Sequence, residues 1–252
     1  MQHFKIFGTG LVLVVMVSCA QMVVPEDATA TPRSIRFSGY DWTVRRSERP
    51  TDPGGNRFSD ATSDVWVDGS GQLHLTLGDY ATEVRMRRSH GYGIYEARLI
   101  ARLDRLDPQA VFGFFTFELP SEHPYHREID IEFSRWGDPD MTNAQFSVQP
   151  AAIPENRLRF ALDQQGEATT HRFTWTPGRV EFVSWHGHSE YPPAAHLVAA
   201  RFVVEAPVVP DTARERIYFN FWRYQGKPLQ TSDREKVIVR EFRFIPLSDL
   251  ER

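Results

Sequence analysis

The sequence predicts an all-β domain, and three observations support this prediction. From Ile35 onward, apolar and polar residues alternate with a period of two, which is typical of strands that bury one face. Gly, Pro, Asp and Asn separate these runs, as at residues 68–71 and 177–178. No apolar stripe with a helical period reaches the length of a helix. A chain with eleven or more strands and no helices indicates a β-sandwich or a β-barrel.

The predicted strands follow one another along the whole body of the chain. One helical turn is expected at residues 211–216. No internal repeat is visible and no linker follows residue 35, so we expect one domain over residues 35–252. The strands are predicted at residues 72–77, 93–103, 111–118, 128–133, 144–149, 157–163, 171–175, 179–185, 197–204, 216–222 and 236–245.

Composition excludes several classes of protein. The 252 residues suffice for one large domain, and the net charge of −4 argues against a nucleic-acid partner, which usually requires a basic excess. A single cysteine excludes an intrachain disulfide. No residue pattern indicates a metal site or a cofactor, and we expect a monomer.

The first residues predict an export signal with a lipid anchor. Lys5 precedes an apolar run over residues 6–17, which is too short for the roughly 20 residues of a transmembrane helix and fits a signal peptide. Cys19 follows it at a position that resembles a bacterial lipobox. We expect a signal peptide at 1–18, a lipidated Cys19, and a tether at 19–34 that holds the secreted domain at the cell envelope (the outer membrane or periplasm in a Gram-negative cell). The alternative is an ordinary secretory signal in which the cysteine is a coincidence.

The segment at residues 126–133 (HREIDIEF) is the most informative for function. On a strand, Glu128, Asp130 and Glu132 share one face, and the apolar residues between them share the other. Three carboxylates on one strand face repel each other, and stability does not call for them. A solvated acidic face is the structural alternative, and a catalytic site is the functional one.

Paired carboxylates are the machinery of glycoside hydrolysis. The Cα atoms of Glu128 and Glu132 lie about 13 Å apart on a strand, and two inclined side chains close most of that gap. A carboxyl separation of about 5–5.5 Å gives a retaining enzyme and about 6.5–9.5 Å an inverting one. The charge of Asp130 is expected to raise the pKa of a neighbouring acid. The sequence does not choose between the two separations.

The stretch from Glu128 to Glu132 resembles the motif of glycoside hydrolase family 16, in the unbulged form found in lichenases and xyloglucan transglycosylases. The resemblance implies that Glu128 is the nucleophile, Glu132 the acid/base and Asp130 an assisting acid. It also implies a β-jelly-roll sandwich of two curved antiparallel sheets, concanavalin A-like, with a substrate cleft. Family members often hold a structural calcium, for which this sequence shows no site. Further similar segments, in the family's order, are 92–98 (YGIYEAR), 111–117 (VFGFFTF), 145–146 (QF), 173–178 (FTWTPG), 180–182 (VEF) and 219–222 (FNFW).

A sugar-binding cleft needs aromatic platforms beside polar groups. The strand predicted at 216–222 offers both on one face, and a structural Trp at the sheet rim is its alternative. Glu96 and Arg98 share a strand face and resemble cleft residues of lichenases, although a plain surface pair would look the same. His126 stands two residues before the first acid, as in the transglycosylases, where lichenases carry Trp. The expected substrate-binding residues are Tyr218, Asn220, Trp222, Tyr224, Glu96, Arg98, His126 and Trp136.

Three functions are weighed. The first is a retaining endo-β-glycanase that hydrolyses a β-glucan by double displacement. The second is a transglycosylase on a β-glucan or xyloglucan, in which a sugar acceptor replaces water. The third is a non-catalytic carbohydrate-binding jelly roll, against which the intact acidic trio argues. A polysaccharide is the expected partner in each case.

Overall fold

The computed structural model describes residues 31–249. The predicted signal peptide, Cys19 and most of the tether lie outside the described residues. Within them, five 3-10 turns occur at Leu103–Arg105, Pro154–Asn156, Ala195–Leu197, Tyr224–Gly226 and Leu247–Asp249. The strands are β1 (Ser34–Phe37), β2 (Tyr40–Val44), β3 (Ser47–Thr51), β4 (Asn56–Phe58), β5 (Val65–Val67), β6 (Leu73–Leu77), β7 (Thr82–Met86), β8 (Gly93–Ile100), β9 (Ala110–Phe117), β10 (Ile129–Ser134), β11 (Ala144–Val148), β12 (Arg157–Phe160), β13 (Ala168–Thr176), β14 (Arg179–His186), β15 (Val198–Glu205), β16 (Arg216–Arg223) and β17 (Glu235–Pro246).

The strands form two large antiparallel sheets. The first has eight strands in the order β1-β2-β7-β16-β9-β10-β11-β12, and the second has seven in the order β15-β14-β13-β8-β17-β6-β5. A separate ribbon joins β3 and β4. The all-β jelly-roll prediction is confirmed. Among residues 31–249, no helix is long and apolar enough to cross a bilayer.

Aromatic side chains fill the space between the sheets. Phe114 of β9 lies 5.5 Å from Phe173 of β13, between ring centroids, and Phe146 of β11 lies 5.1 Å from Phe182 of β14. All four rings are fully buried. Burial of one such side chain contributes about 1.5–3 kcal/mol relative to exposure. Most of the 18 phenylalanines of the chain lie in this core.

The structure corrects some of the predicted boundaries. The carbonyl of Arg33 accepts a hydrogen bond from the Val44 amide, and β1 begins at Ser34, so the domain begins before the expected limit of the tether. No helical turn forms at residues 211–216, where the chain instead leads into β16. Strands β1–β5 and β7 were not predicted, because short, charged segments such as Ser47–Thr51 carry no sustained alternation.

Candidate active site

The three acids stand at the start of β10, on the face of the eight-stranded sheet that points away from the core. Ile129, Ile131 and Phe133 are fully buried between the sheets, so the alternating pleat directs Asp130 and Glu132 to the opposite side. Glu128 immediately precedes the strand, and its side chain is hydrogen-bonded to that of Asp130. We call this side of the sheet the acid face.

The chain enters the acid face through a strained turn. His126 and Arg127 both have left-handed backbone conformations, with φ of 53° and 54°. The turn is tied down on both sides, because the Glu118 amide donates to the His126 carbonyl (2.7 Å) and the Thr116 hydroxyl donates to the Arg127 carbonyl (2.8 Å). Consecutive left-handed residues other than glycine mark a backbone held by its surroundings. The turn at His126 and Arg127 therefore fixes the backbone position of Glu128.

Asp130 is the most buried of the three acids, with 2% of its surface exposed. Its Oδ2 accepts hydrogen bonds from the Ser147 hydroxyl (2.9 Å) and the Gln149 amide (3.1 Å). Burial raises the pKa of Asp130 to about 6, although these two hydrogen bonds and the one with Glu128 oppose the rise. Burial, followed by the charges of the other two acids, raises the pKa of Glu128 well above its ordinary value.

Glu132 has a different set of partners. Its Oε2 accepts a hydrogen bond from the Gln145 amide (3.0 Å), and the Gln145 carbonyl oxygen accepts one from Nε of Arg159 (3.0 Å). Burial and the charge of Asp130 raise the pKa of Glu132 to about 8, whereas Arg159 and Gln145 lower it. Near neutral pH, the trio therefore carries about one negative charge, shared by the hydrogen-bonded Glu128 and Asp130, while Glu132 is protonated.

Strand register extends the acid face across the neighbouring strands. Gly113 of β9 lies between Glu132 and Asn220 of β16. A Cβ at Gly113 would lie 2.5 Å from Oδ1 of Asn220, so only glycine leaves room for this carboxamide beside the acid. The Oδ1 of Asn220 is buried and has no hydrogen-bond partner within the described residues. This oxygen is free to accept a hydrogen bond from a hydroxyl group of a ligand.

The predicted aromatic residues of β16 reach the same face with different surroundings. Tyr218 stacks on Phe115 (5.1 Å between centroids) and is only 6% exposed. Its ring therefore packs within the acid face and offers little surface for a sugar to stack on. Trp222 is partly buried and lies opposite Val111, one pleat beyond Asn220. Tyr224 lies past the strand end, where its ring would contact a Cβ added at Gly137 at 3.3 Å.

Trp136 and His126 lie at two different parts of the acid face. The guanidinium of Arg159 lies 4.1 Å from the ring centroid of Trp136. His126 stacks on Phe117 with centroids 4.5 Å apart, and its Nδ1 lies 3.0 Å from the Glu118 carbonyl oxygen. Trp136 is therefore beside the Glu132 partners and His126 beside Glu128.

Glu96 and Arg98 are not part of this surface, and the prediction that they line the cleft is corrected. Both lie on β8 of the seven-stranded sheet, whose inner residues such as Ala97 face the core. The strand pleat therefore turns Glu96 and Arg98 to the outer face of the second sheet, across the whole sandwich from the acids. There Glu96 contacts Arg243 (2.9 Å) and Arg172 (3.7 Å).

This placement predicts a structural role for Glu96. We expect Glu96→Gln to lower the free energy of unfolding by about 3 kcal/mol, because it leaves the buried Arg172 without a carboxylate partner and removes one of the two partners of Arg243. Urea unfolding would measure the loss, and Glu181→Gln, a partly exposed acid on the same outer face, is the matched control. A change as small as that of the control would contradict the assigned role.

Several residues of the acid face were not predicted as site residues. Gln145 entered only as part of a segment similar to the family, and Ser147, Gln149, Arg159, Phe115 and Phe117 were not singled out. The alternation over residues 157–163 does place Arg157 and Arg159 on one strand face. The alternation does not show which strand pairs with this one, because the order of strands in the sheet is not contained in a local pattern.

Known proteins resemble this chain in sequence over part of its length. No protein-family model matches it. It is 31% identical over 185 residues to a beta-glucanase of Acetivibrio thermocellus, an alignment that covers 68% of this chain and 53% of that protein. It is 29% identical over 124 residues to a beta-glucanase of Paenibacillus polymyxa, covering 46% of this chain and 48% of that protein. The chain thus spans about half the length of the relatives it matches.

Solved structures share the fold over most of the chain. The Bacillus licheniformis beta-glucanase superposes with a TM-score of 0.60 at 19% identity, covering 86% of this chain and 98% of that one. A lichenase from a mouse hindgut metagenome gives 0.56 at 19% identity, covering 86% and 100%. A Mycobacterium tuberculosis protein described as a pseudo beta-1,3-glucanase gives 0.59 at 18% identity, covering 81% and 90%. Because the fold is shared with a pseudo-glucanase, any activity must be argued from the residues of the acid face.

Proposed function

We propose that this chain, which has the fold of the bacterial β-glucanases and is 31% identical to one of them over 68% of its length, is a β-glucan endo-hydrolase that acts with retention. It is of the lichenase-like type of glycoside hydrolase family 16. The carrying observation is the division of partners in the acid trio. Glu128 shares a hydrogen bond with Asp130, whereas Glu132 is held separately by Gln145.

This division suits a double displacement. Glu128 needs a negative charge to attack the anomeric carbon, and the hydrogen bond to Asp130 lets the shared proton move to Asp130 as substrate binds. The new Glu128–carbon bond forms as the glycosidic C–O bond breaks, and Glu132 gives its proton to the departing oxygen. In the second step Glu132 takes a proton from water, the water oxygen bonds to the anomeric carbon, and Glu128 leaves as a carboxylate.

The acid trio also bears on the two alternatives. A carbohydrate-binding protein has no need of a protonated glutamic acid beside two acids that share one negative charge, so the non-catalytic jelly roll is less well supported. A transglycosylase would use the same first step, with a sugar hydroxyl in place of water in the second. The observation that favours transglycosylation is His126, which lies two residues before the nucleophile as in the transglycosylases and stacks on Phe117.

Substrate and product analysis tests the proposal. The purified domain would be incubated with mixed-linkage β-glucan, β-1,3-glucan, xyloglucan and a galactan. Reducing ends that accumulate with the β-anomer formed first, as followed by NMR, support retaining hydrolysis. Products longer than the substrate would favour transfer. Binding of glucan without any cleavage would favour the non-catalytic reading.

The raised pKa values predict a bell-shaped pH profile. We expect kcat/KM to rise as pH passes about 6, where the Asp130–Glu128 pair gains its charge, and to fall as pH passes about 8, where Glu132 loses the proton it must donate. Initial rates over pH 4–10 would measure both limbs, which belong to the coupled cluster as a whole.

A variant separates this cause from others. Arg159 lowers the pKa of Glu132, so Arg159→Gln is expected to move the basic limb to higher pH. Arg201→Gln, on an edge strand of the second sheet, is the matched control and should leave both limbs in place. A basic limb that stays in place in Arg159→Gln would show that Glu132 does not set it.

The export prediction adds a proposed location. We propose that the chain is secreted and anchored by a lipid on Cys19, with a monomeric domain outside the inner membrane. The apolar run before Cys19 supports this, as set out above. Labelled-lipid feeding and mass analysis with and without globomycin would test it, and an unchanged mass would sink it.

A further inference from the structure

Two arginines on the edge strand of the acid face have no carboxylate partner among residues 31–249, although Arg159 donates a hydrogen bond to Gln145 (3.0 Å). Arg157 lies opposite Ser147, whose hydroxyl binds Asp130, and Arg159 lies opposite Gln145, whose amide binds Glu132. Residues directly opposite each other in an antiparallel pair point to the same side of the sheet. Both guanidinium groups are therefore on the acid face, two residues apart on the outermost strand.

Neither arginine is neutralised. Neither forms an ion pair with a carboxylate among residues 31–249, and the guanidinium of Arg157 makes no hydrogen bond there. The carboxyl group whose charge acts on Arg159 is that of Glu132, and its pKa of about 8 keeps it mostly protonated near neutral pH. Burial, and next the charge of Arg157, lower the pKa of Arg159, so the two cations disfavour each other.

Arginines on the outer face of the second sheet differ from these two, because they are paired with carboxylates. There Arg98 contacts Glu190 and Glu241 (3.3 Å to the latter), and Arg243 contacts Glu96 (2.9 Å) and Glu190 (3.0 Å). Half-buried cations are paired there, as the desolvation of charge demands. The arginines of β12 lack such partners although they stand beside acids, which suggests that their partner is a ligand.

We propose that Arg157 and Arg159 form an anion-binding subsite at the β12 edge of the acid face, which takes a carboxylate or sulfate group on a sugar unit of the bound glycan. The inference rests on the proposed function and narrows it to an acid-substituted β-glucan. Guanidinium groups bind such oxyanions through paired, charge-assisted hydrogen bonds. Arg159 stacks on Trp136, so the anion would lie next to an aromatic platform that a sugar ring can use.

Matched polymers test the subsite. A mixed-linkage β-glucan would be prepared in carboxymethylated, sulfated and hydroxyethylated forms of equal substitution, so that charge varies while bulk is kept. We expect kcat/KM on a charged form to exceed that on the hydroxyethyl form by about tenfold at low salt, and the ratio to shrink as salt is raised. A preference for one charged form identifies the carboxylate or the sulfate as the group recognised.

Variants assign the preference to β12. Arg157→Gln, which does not touch the acid trio, is expected to reduce the charged-to-neutral ratio by about tenfold. Arg157→Lys should keep part of the ratio, and Arg201→Gln, on the edge strand of the other sheet, should keep all of it. Thermal unfolding of each variant checks that it folds.

The outcomes separate this inference from the proposed function. Equal cleavage of charged and neutral glucans, at a rate insensitive to Arg157→Gln, overturns the subsite and leaves the hydrolase in place. If no polymer is cleaved, affinity measured by calorimetry on the same three polymers decides. Tighter binding of a charged form that Arg157→Gln weakens supports the subsite, and equal affinities refute it.

Discussion

Glu128→Ala is expected to reduce β-glucan hydrolysis by at least about 10⁴-fold, the largest effect predicted for any single change in this chain. The variant has no carboxylate that can bond to the anomeric carbon, and Asp130 is too enclosed by Ser147 and Gln149 to replace it. The fold should tolerate the change, because Asp130 keeps its hydrogen bonds to Ser147 and Gln149 when the Glu128 carboxyl is removed. Glu122→Ala, an exposed acid on the preceding loop, is the matched control.

Added azide sharpens the test of Glu128. In the space left by the side chain, azide can attack the anomeric carbon from the nucleophile's side of a substrate with a good leaving group. A single displacement then gives a glycosyl azide of inverted, α configuration. Turnover that survives Glu128→Ala unchanged, or an azide product of β configuration from this variant, would end the assignment of Glu128 as the nucleophile.

Glu132→Ala is expected to reduce hydrolysis of β-glucan by about 10²–10⁴-fold, the range that general acid–base catalysis contributes. The loss depends on the leaving group. A sugar alkoxide needs the proton that Glu132 holds through its raised pKa, whereas a nitrophenolate leaves without one. Aryl glycosides should therefore keep most of the first step, and rates on both substrates would measure the contrast.

Azide should also restore turnover to Glu132→Ala, with a product of the opposite anomeric configuration. It replaces the water that Glu132 would have activated, needs no base, and attacks the glycosyl-enzyme to give a β-glycosyl azide. Gln145→Leu is a useful companion, because it removes the hydrogen bond to Glu132 while keeping the acid. Equal losses on β-glucan and aryl glycosides in Glu132→Ala would argue against an acid/base role.

Much of the fold and of the acid strand could be predicted from local pattern. The alternation around residues 128–133 fixed which residues face the core, because Ile129, Ile131 and Phe133 must be buried together. The same reasoning placed Tyr218, Asn220 and Trp222 on one face. The short strands β1–β5 were missed because their apolar residues are too few to make a period.

The error over Glu96 and Arg98 shows where pattern stops. The alternation showed that Glu96 and Arg98 lie on the opposite face of their strand from the buried Ala97. It did not show to which of the two sheets the strand belongs. Only the order of strands, which seats β8 between β13 and β17, turns that face away from the acids. Resemblance to a family strand did not remove the ambiguity.

The sequence by itself determined an all-β chain and three acids on one side of a strand, because side-chain direction in a strand is a local property of the backbone. Tertiary structure alone decided which residues stand beside those acids. Gln145 binds Glu132 and is itself bound by Arg159, while Ser147 and Gln149 bind Asp130; the pairing of β10, β11 and β12 brings these side chains together. Since a pKa depends on burial and on neighbouring charges, the distinct protonation of Glu128, Asp130 and Glu132 arises only when the sheets are assembled.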